Sequence, residues 1–146
     1  MKELLYLKDD QLKEFIEKIS MSYRETFSDA KKVLDKYSIG VAHHKVINLI
    51  SLYDGITISE LLKKLKITKQ SLNRVMRELI KSKMIRQAKD ENDTRKKNLF
   101  LDKDGKIFFD KIYESQKKRI FQALKNSEPE SVIKFKEVLN RIINGK

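Results

Sequence analysis

Hydrophobic and polar positions follow the period of an α-helix over most of this chain. Between residues 10 and 36, apolar side chains recur every three or four positions, which predicts one long amphipathic helix. The same period resumes at Val41 and predicts a second helix that ends at the Asp54-Gly55 turn. The chain up to this turn is therefore predicted to be helical.

Two further helices are predicted in the last third of the chain. Asp102 is suited to cap the first, which covers residues 103–124. Residues 127–130, Ser-Glu-Pro-Glu, have the form of a capping box with proline in the first turn and predict the start of the last helix. With four Gly and one Pro in 146 residues, few positions force a helix to stop, so the predicted fold class is mainly α.

The middle of the chain has the pattern of two short helices joined by a tight turn. Thr57 and Glu60 form a capping box that opens the first helix. Residues 66–67 form the turn, and Thr68 is a good N-cap for a second helix over residues 69–83. This arrangement is typical of a helix-turn-helix.

The second of these helices separates its apolar and polar side chains. Its predicted inner stripe consists of Leu72, Val75, Met76, Leu79 and Ile80. Its outer stripe consists of Lys69, Gln70, Asn73, Arg74, Arg77 and Lys81. An ordinary helical hairpin, the alternative, normally mixes acids and bases on its outer side, whereas this stripe has no acid.

A short β-hairpin is predicted after Met84. Residues 85–89 and 97–101 have strand character and flank the polar loop 90–96. Residues 56–58 are a candidate third short strand at the edge of the hairpin. The hairpin would form the wing of a winged helix-turn-helix.

Positive charge is concentrated around this predicted motif. The formal net charge is +12, yet residues 1–56 contain nine basic and nine acidic side chains. Residues 61–89 contain ten basic side chains and one acidic side chain, Glu78, which gives a net charge of +9. A uniformly lysine-rich, solvated surface is the alternative, but it would also have raised the charge of residues 1–56. Such a local excess is what a nucleic-acid-binding surface requires.

Several classes of protein are disfavoured by the composition. No cysteine is present, which excludes disulfides and cysteine-ligated zinc, and no catalytic or metal-ligating constellation is visible, so neither an enzyme nor a cofactor is expected. No run of about 18 apolar residues exists, so no contact with a membrane is expected. Acids occur in the first 15 residues, where a signal peptide has a basic and then an apolar region, and a cytoplasmic location is therefore expected.

Residues 55–105 resemble the MarR family of bacterial transcriptional regulators. The resemblance lies in the order of a helix-turn-helix, a wing containing Asp93 and Arg95, a strand ending in Leu101, a helix cap and Gly105. The family usually has Thr where this chain has Asp102, and both residue types cap helices. The resemblance implies one domain over residues 1–146 that forms a homodimer. Residues 1–38 and 103–146 would be the dimerisation helices, and residues 41–102 the winged helix-turn-helix.

The resemblance also implies roles at double-stranded DNA. The helix over residues 69–83 would lie in the major groove. Three of its side chains are expected to read bases: Gln70, Asn73 and Arg74. Three others are expected to contact phosphates: Lys69, Ser71 and Arg77. In the wing, Arg95 would enter the minor groove beside Lys96 and Lys97, with Asp93 orienting Arg95 or closing the turn.

Members of the family often repress a promoter and release DNA when a small aromatic or phenolic acid binds. Candidate residues for such an effector pocket are Tyr37, His43 and His44, although a structural or solvent-facing role for the two histidines is the alternative. The function implied is that of a ligand-responsive repressor on an inverted-repeat operator, while an activator or a constitutive binder fits the same residues. A sequence-indifferent nucleoid-type DNA binder and a winged-helix protein-interaction module are the competing functions.

Overall fold

The computed structural model describes residues 4–146, which form six α-helices and one β-hairpin. The helices are α1 (Asp9–Tyr37), α2 (Val41–Leu52), α3 (Ile58–Leu65), α4 (Lys69–Lys81), α5 (Lys103–Lys125) and α6 (Pro129–Asn144). The strands are β1 (Ile85–Lys89) and β2 (Lys97–Leu101), and a short 3-10 helix (Leu5–Leu7) precedes α1. The predicted mainly α fold with a small hairpin wing is confirmed. Residues 1–3, which belong to the first predicted dimerisation segment, lie outside the described residues.

Side-chain caps start both helices of the central motif. The Thr57 hydroxyl accepts the backbone N–H of Glu60 at 3.2 Å, and the Thr68 hydroxyl accepts that of Ser71 at 3.1 Å. The turn between the helices is made by Lys66, which has left-handed backbone angles of φ 54° and ψ 42°. Both predicted N-caps are therefore confirmed, and the turn depends on a non-glycine residue in a conformation that usually costs energy.

One predicted helix end and one predicted helix cap were wrong. Helix α4 ends at Lys81 rather than at residue 83, because Lys83 adopts a left-handed φ of 61° and the chain turns there toward β1. The capping box at residues 127–130 does not form, since the Ser127 hydroxyl instead donates to the carbonyl of Ala123 at 2.8 Å in the preceding helix. Glu128 is the N-cap of α6 and makes no side-chain capping bond.

The hairpin is held against the start of α3 rather than extended by a third strand. Residues 56–58 do not form a strand; an isolated bridge joins Thr57 to Asn98. Two backbone hydrogen bonds flank this bridge, from Gly55 N to Leu99 O at 3.0 Å and from Leu99 N to Ile56 O at 2.9 Å. Pairing stops at Thr57 because this residue already caps α3.

The register of the hairpin follows from which side chains are buried. Ile85 lies opposite Leu101, and Gln87 lies opposite Leu99. Ile85, Leu99 and Leu101 are buried, so the face of the hairpin that carries these side chains packs against the core. A shift by one residue would turn these apolar side chains to solvent.

The chain divides into two compact units. We call residues 30–113 the winged unit, and the described residues 4–29 together with 114–146 the terminal unit. Every apolar residue that is buried in the described part of the chain lies in the winged unit. Its core includes Val46, Ile47, Ile50, Leu61, Leu72, Val75, Met76, Leu79, Leu99 and Phe108. Ile80, predicted to be on the inner stripe of α4, is 39% exposed because it lies at the edge of that stripe.

The terminal unit has no buried residue among those described. Within it, Arg119 of α5 forms an ion pair with Asp29 of α1 at 2.6 Å, and the Gln116 amide donates to the carbonyl of Thr26 at 3.0 Å. Its large exposed apolar side chains include Phe15, Ile16, Ile19, Phe121, Ile133, Phe135, Ile142 and Ile143. No helix in residues 4–146 has the length and apolar character needed to cross a membrane.

Gly105 allows a close approach of two backbone segments. The carbonyl oxygen of Met84 accepts the N–H of Asp102 at 2.9 Å. A Cβ on Gly105 would lie 2.0 Å from that same oxygen, far inside van der Waals contact. Glycine is therefore required here by space, since Gly105 is helical and has no positive φ.

We expect Gly105→Ala to lower the free energy of unfolding by about 1–3 kcal/mol, because the added methyl group overpacks a backbone contact. Lys106→Ala, at the exposed neighbouring position, is the control and should change stability by less than about 0.5 kcal/mol. Urea denaturation of both variants measures the effect. Gly→Ala inside a helix is normally stabilising, so increased stability of Gly105→Ala would contradict this account.

Candidate nucleic-acid interface

Helix α4 presents a polar face to solvent and an apolar face to the core. Leu72, Val75, Met76 and Leu79 are buried. The six predicted DNA-contacting residues of this helix, Lys69, Gln70, Ser71, Asn73, Arg74 and Arg77, are all exposed. In the described part of the chain, the cationic side chains of α4 form no ion pair, so their charge is not neutralised within the protein.

Glu78, the one acidic residue in the positively charged stretch 61–89, has a partner in α2. The Glu78 carboxylate of α4 is in hydrogen-bond contact with His43 Nε2. The other ring nitrogen, Nδ1, is buried and has no hydrogen-bond partner within residues 4–146. The imidazole therefore fixes the Glu78 side chain on the α2 side of α4.

Hydrogen bonds within the wing loop bring Asp93 and Arg95 together. Asp93 Oδ1 accepts the backbone N–H of Arg95 at 3.0 Å and its side-chain Nε–H at 3.2 Å. These two bonds lower the pKa of Asp93, the backbone bond being the larger cause. The Arg95 side chain nevertheless remains 90% exposed, so its orientation is set by Asp93 while its charge stays accessible to a ligand.

The base of the loop is closed by Asp90, which sequence reasoning did not single out. Its Oδ1 accepts the backbone N–H groups of Asn92 and Asp93 at 2.8 and 3.1 Å, and its Oδ2 accepts from the Asn98 amide at 3.3 Å. These bonds lower the pKa of Asp90, with the Asn92 N–H as the largest cause. An Asp at the start of a polar loop is a known turn signal and could have identified it.

A cleft of about 520 Å³ lies between the start of α3 and the wing. We call it the wing cleft, and it is lined by Thr57, Ile58, Ser59, Glu60, Lys63, Arg95, Lys96 and Lys97. It brings three of the predicted wing residues next to the first helix of the motif. Lys63 and Ser59 were not predicted to be functional, because sequence reasoning placed the DNA contacts on α4 and the wing only.

A second cleft, of about 280 Å³, brings together two of the three candidate effector residues. Tyr37 and His43 line it, together with Glu78, Ser82 and Met84, whereas His44 does not. Burial, with a smaller effect from the charge of Lys45, lowers the pKa of His44. We call the cavity of about 280 Å³, which His43 lines, the histidine cleft.

The Tyr37 side chain at the histidine cleft is held by two aromatic interactions. Its ring meets that of Phe108 edge to face at 5.1 Å between centroids. Lys111 Nζ lies 5.1 Å from the Tyr37 ring centroid and also contacts its hydroxyl. An aromatic surface and an imidazole thus meet in one small cavity.

Two capped helices joined by a tight turn, an exposed cationic second helix and a β-hairpin define a winged helix-turn-helix protein. The sequence model of the MarR family matches residues 37–96. The HTH-type transcriptional regulator PetP of Rhodobacter capsulatus is 34% identical over 141 residues, which cover 97% of this chain and 85% of PetP. The chain belongs to the MarR family, a family of DNA-binding transcriptional regulators rather than enzymes, and the resemblance seen in the sequence is confirmed.

Solved structures share the fold at low sequence identity. A mutant of MepR from Staphylococcus aureus is 20% identical, has a TM-score of 0.76 and aligns over 90% of this chain and 96% of its own. Another MepR mutant, bound to an oligodeoxyribonucleotide, aligns over the same shares with a TM-score of 0.61. MarR of Staphylococcus aureus, in complex with salicylate and kanamycin, is 20% identical with a TM-score of 0.71 over 92% and 91% of the two chains.

Proposed function

We propose that this protein is a sequence-specific, ligand-responsive repressor that binds an inverted-repeat operator as a homodimer. The observation that carries the proposal is the exposed face of α4, which combines amides with unpaired cations and lies in the same unit as the accessible Arg95. Amides and guanidinium groups are the side chains that discriminate bases in the major groove. The oligodeoxyribonucleotide bound to a MepR mutant supports the same use of this fold.

In this proposal, the residues of α4 divide by chemistry. Gln70 and Asn73 donate to and accept from adenine edges, and Arg74 donates to guanine. Lys69 and Arg77 neutralise phosphates. Ser71 also contacts a phosphate, donating the hydroxyl proton that remains when its oxygen accepts from Thr68 at 2.9 Å.

The wing supplies further positive charges to the proposed complex with DNA. Arg95 enters the minor groove, where a narrow A·T-rich stretch concentrates negative potential. Asp93 does not contact DNA but limits the rotation of the guanidinium group through the bond at 3.2 Å. Lys96 and Lys97 contact the backbone beside the groove.

The terminal unit provides the dimer interface. Its exposed apolar side chains have no core of their own in the described residues, and a second copy would remove them from water. Residues 1–38 and 103–146 act as the dimerisation segments, and residues 41–102 as the winged helix-turn-helix. Two-fold symmetry then spaces two copies of α4 by about one turn of DNA, or roughly 10 bp.

The histidine cleft is the proposed effector site. A small aromatic or phenolic acid fits a cavity that offers the Tyr37 ring and the His43 imidazole, and salicylate in the complex of the related MarR protein belongs to this class. An acid that binds His43 competes with the Glu78 carboxylate, which α4 carries. The competition would change the position of α4 and thereby release DNA.

We expect the protein to bind DNA from its own upstream region at least about 10³-fold more tightly than a shuffled fragment at physiological salt, since specific readers typically reach this ratio. Asn73→Ala should reduce the ratio of the two affinities. Arg95→Ala should weaken binding to both fragments markedly without altering folding or dimerisation.

The affinities are measured by fluorescence titration of both fragments, with Lys106→Ala as a surface control. Equal affinity of the wild type for both fragments would favour a nucleoid-type function, and binding to neither would favour a protein-interaction module.

We expect Ile16→Lys combined with Phe121→Lys to convert the homodimer into monomers, because both charges would be buried against the partner at an energetic cost. Light scattering after gel filtration should give the mass of one chain instead of two. The control Glu17→Lys changes an exposed polar position on the same helix and should remain dimeric. A monomeric wild type would refute the dimer.

We expect salicylate to weaken binding of the wild type to its operator, and His43→Ala to abolish most of that response. His44→Ala is the matched control, because this histidine does not line the histidine cleft. The measurement is the ratio of operator Kd values with and without salicylate. A response that persists in His43→Ala would place the effector site elsewhere, and no response in the wild type would remove salicylate as an effector.

A further inference from the structure

Glu78 borders the polar face of α4 that carries the proposed base-reading residues. It is the only acidic residue in the stretch 61–89. Residues four or three positions apart are neighbours on a helix, so Glu78 lies one turn from Arg74 on one side and from Lys81 on the other. All three residues are exposed. On an isolated helix, this acid would therefore pair with a cation of the DNA-contacting face.

The structure shows a different partner for this acid. The Glu78 carboxylate is in hydrogen-bond contact with Nε2 of His43 in α2. Within residues 4–146, neither Arg74 nor Lys81 forms an ion pair. The acid of α4 is thus held by a neighbouring helix, and the Arg74 guanidinium remains available to a ligand.

The imidazole ring that holds Glu78 is itself fixed by its surroundings. The His43 side chain is 21% exposed, against 55% for Glu78. Nδ1 is buried, has no hydrogen-bond partner among the described residues and lies 3.4 Å from where a Cβ on Gly40 would be. A proton on Nδ1 would be a buried donor without an acceptor. The neutral ring therefore carries its proton on Nε2 and donates it to Glu78.

We propose that His43 is a positioning residue for DNA recognition, which holds Glu78 away from Arg74 and thereby keeps the Arg74 guanidinium free to read a base. This role rests on the DNA-binding function proposed above and deepens it. It also gives an effector in the histidine cleft a direct route to the base-reading face. An acid that takes the place of Glu78 at His43 releases a carboxylate beside Arg74, even where α4 does not move.

Arg74 is the cation that a released Glu78 carboxylate takes as its partner. Side chains on an α-helix lean toward its N-terminus, so the Glu78 side chain leans toward the turn that contains Arg74 and away from Lys81. A guanidinium also offers a carboxylate two parallel N–H donors, whereas an ammonium group acts as a point charge. The same donors recognise guanine, so the carboxylate and the base compete for one side chain.

The expected effect on DNA binding is moderate, because the competing ion pair is exposed. A pair of the strength usual at this spacing would reduce operator affinity by about threefold for each protomer. The proposed dimer uses Arg74 twice, which gives a reduction of about tenfold. Binding to shuffled DNA should change less, since Arg74 reads no base there.

The first test compares operator and shuffled DNA for the full-length protein with His43→Ala, with Glu78→Gln and with both substitutions. His43→Ala should lower the ratio of operator to shuffled affinity by about tenfold. Adding Glu78→Gln should restore the ratio, since no carboxylate then remains beside Arg74. His43→Gln keeps an N–H donor and should retain the wild-type ratio. Asp110→Asn combined with His43→Ala is the control, because it removes the same charge from an exposed position on α5 and should restore nothing.

The second test needs no DNA. NMR spectra of the arginine side-chain N–H groups are recorded for the free protein and for the same variants. The Arg74 signal should shift in His43→Ala and return to its wild-type position when Glu78→Gln is added. Circular dichroism checks that every variant is folded.

Contrary outcomes distinguish the role of His43 from the proposed function. A loss of operator affinity in His43→Ala that Glu78→Gln does not restore would leave His43 with a structural role only and overturn the proposal. An equal loss for both fragments would assign the released carboxylate to Lys81 and also overturn it. A wild type that binds no DNA would overturn the proposed function, whereas an unshifted Arg74 signal in His43→Ala would overturn the positioning role alone.

Discussion

Two backbone hydrogen bonds between the entry to α3 and strand β2 determine how the wing stands relative to the helix-turn-helix. Leu99 takes part in both, donating to Ile56 at 2.9 Å and accepting from Gly55 at 3.0 Å, and its side chain is buried in the core. Since the hairpin has only two strands, these bonds and the apolar contacts beneath them are what keep it from moving independently. The positions of Arg95 and of the wing cleft relative to α3 depend on this junction.

The terminal unit is held together by different interactions from those of the winged unit. The winged unit contains every buried apolar residue of the described chain, whereas the terminal unit is joined by the Arg119–Asp29 pair and the Gln116–Thr26 bond. The Arg119 side chain is 48% exposed and that of Asp29 is 15% exposed, so screening by solvent limits what this pair contributes to stability. The apolar side chains of these helices, Phe121 and Ile133 among them, are exposed and build no core within the described residues.

Much of this arrangement was predictable from the sequence because it depends on local rules. The caps at Thr57 and Thr68 and the strand boundaries were correct, since capping and turn chemistry act over three or four residues. The failed capping box at Ser127 shows the limit of such rules: the hydroxyl had a free carbonyl within reach on the preceding helix. Tertiary packing that no local pattern encodes produces the contact between Glu78 and His43, which are 35 positions apart in sequence, and places Lys63 in the lining of the wing cleft.

The left-handed residues that end α3 and follow α4 have a further consequence. Glycine would occupy these positions with the least strain, yet the chain has Lys66 and Lys83, whose φ angles are 54° and 61°. Each left-handed lysine costs roughly 1–2 kcal/mol relative to an unstrained backbone. Both lysines belong to the block that carries +9 over residues 61–89. The chain thus has one strained lysine in the turn between α3 and α4 and another just after α4, and glycine at either place would relieve the strain but remove one positive charge from this stretch.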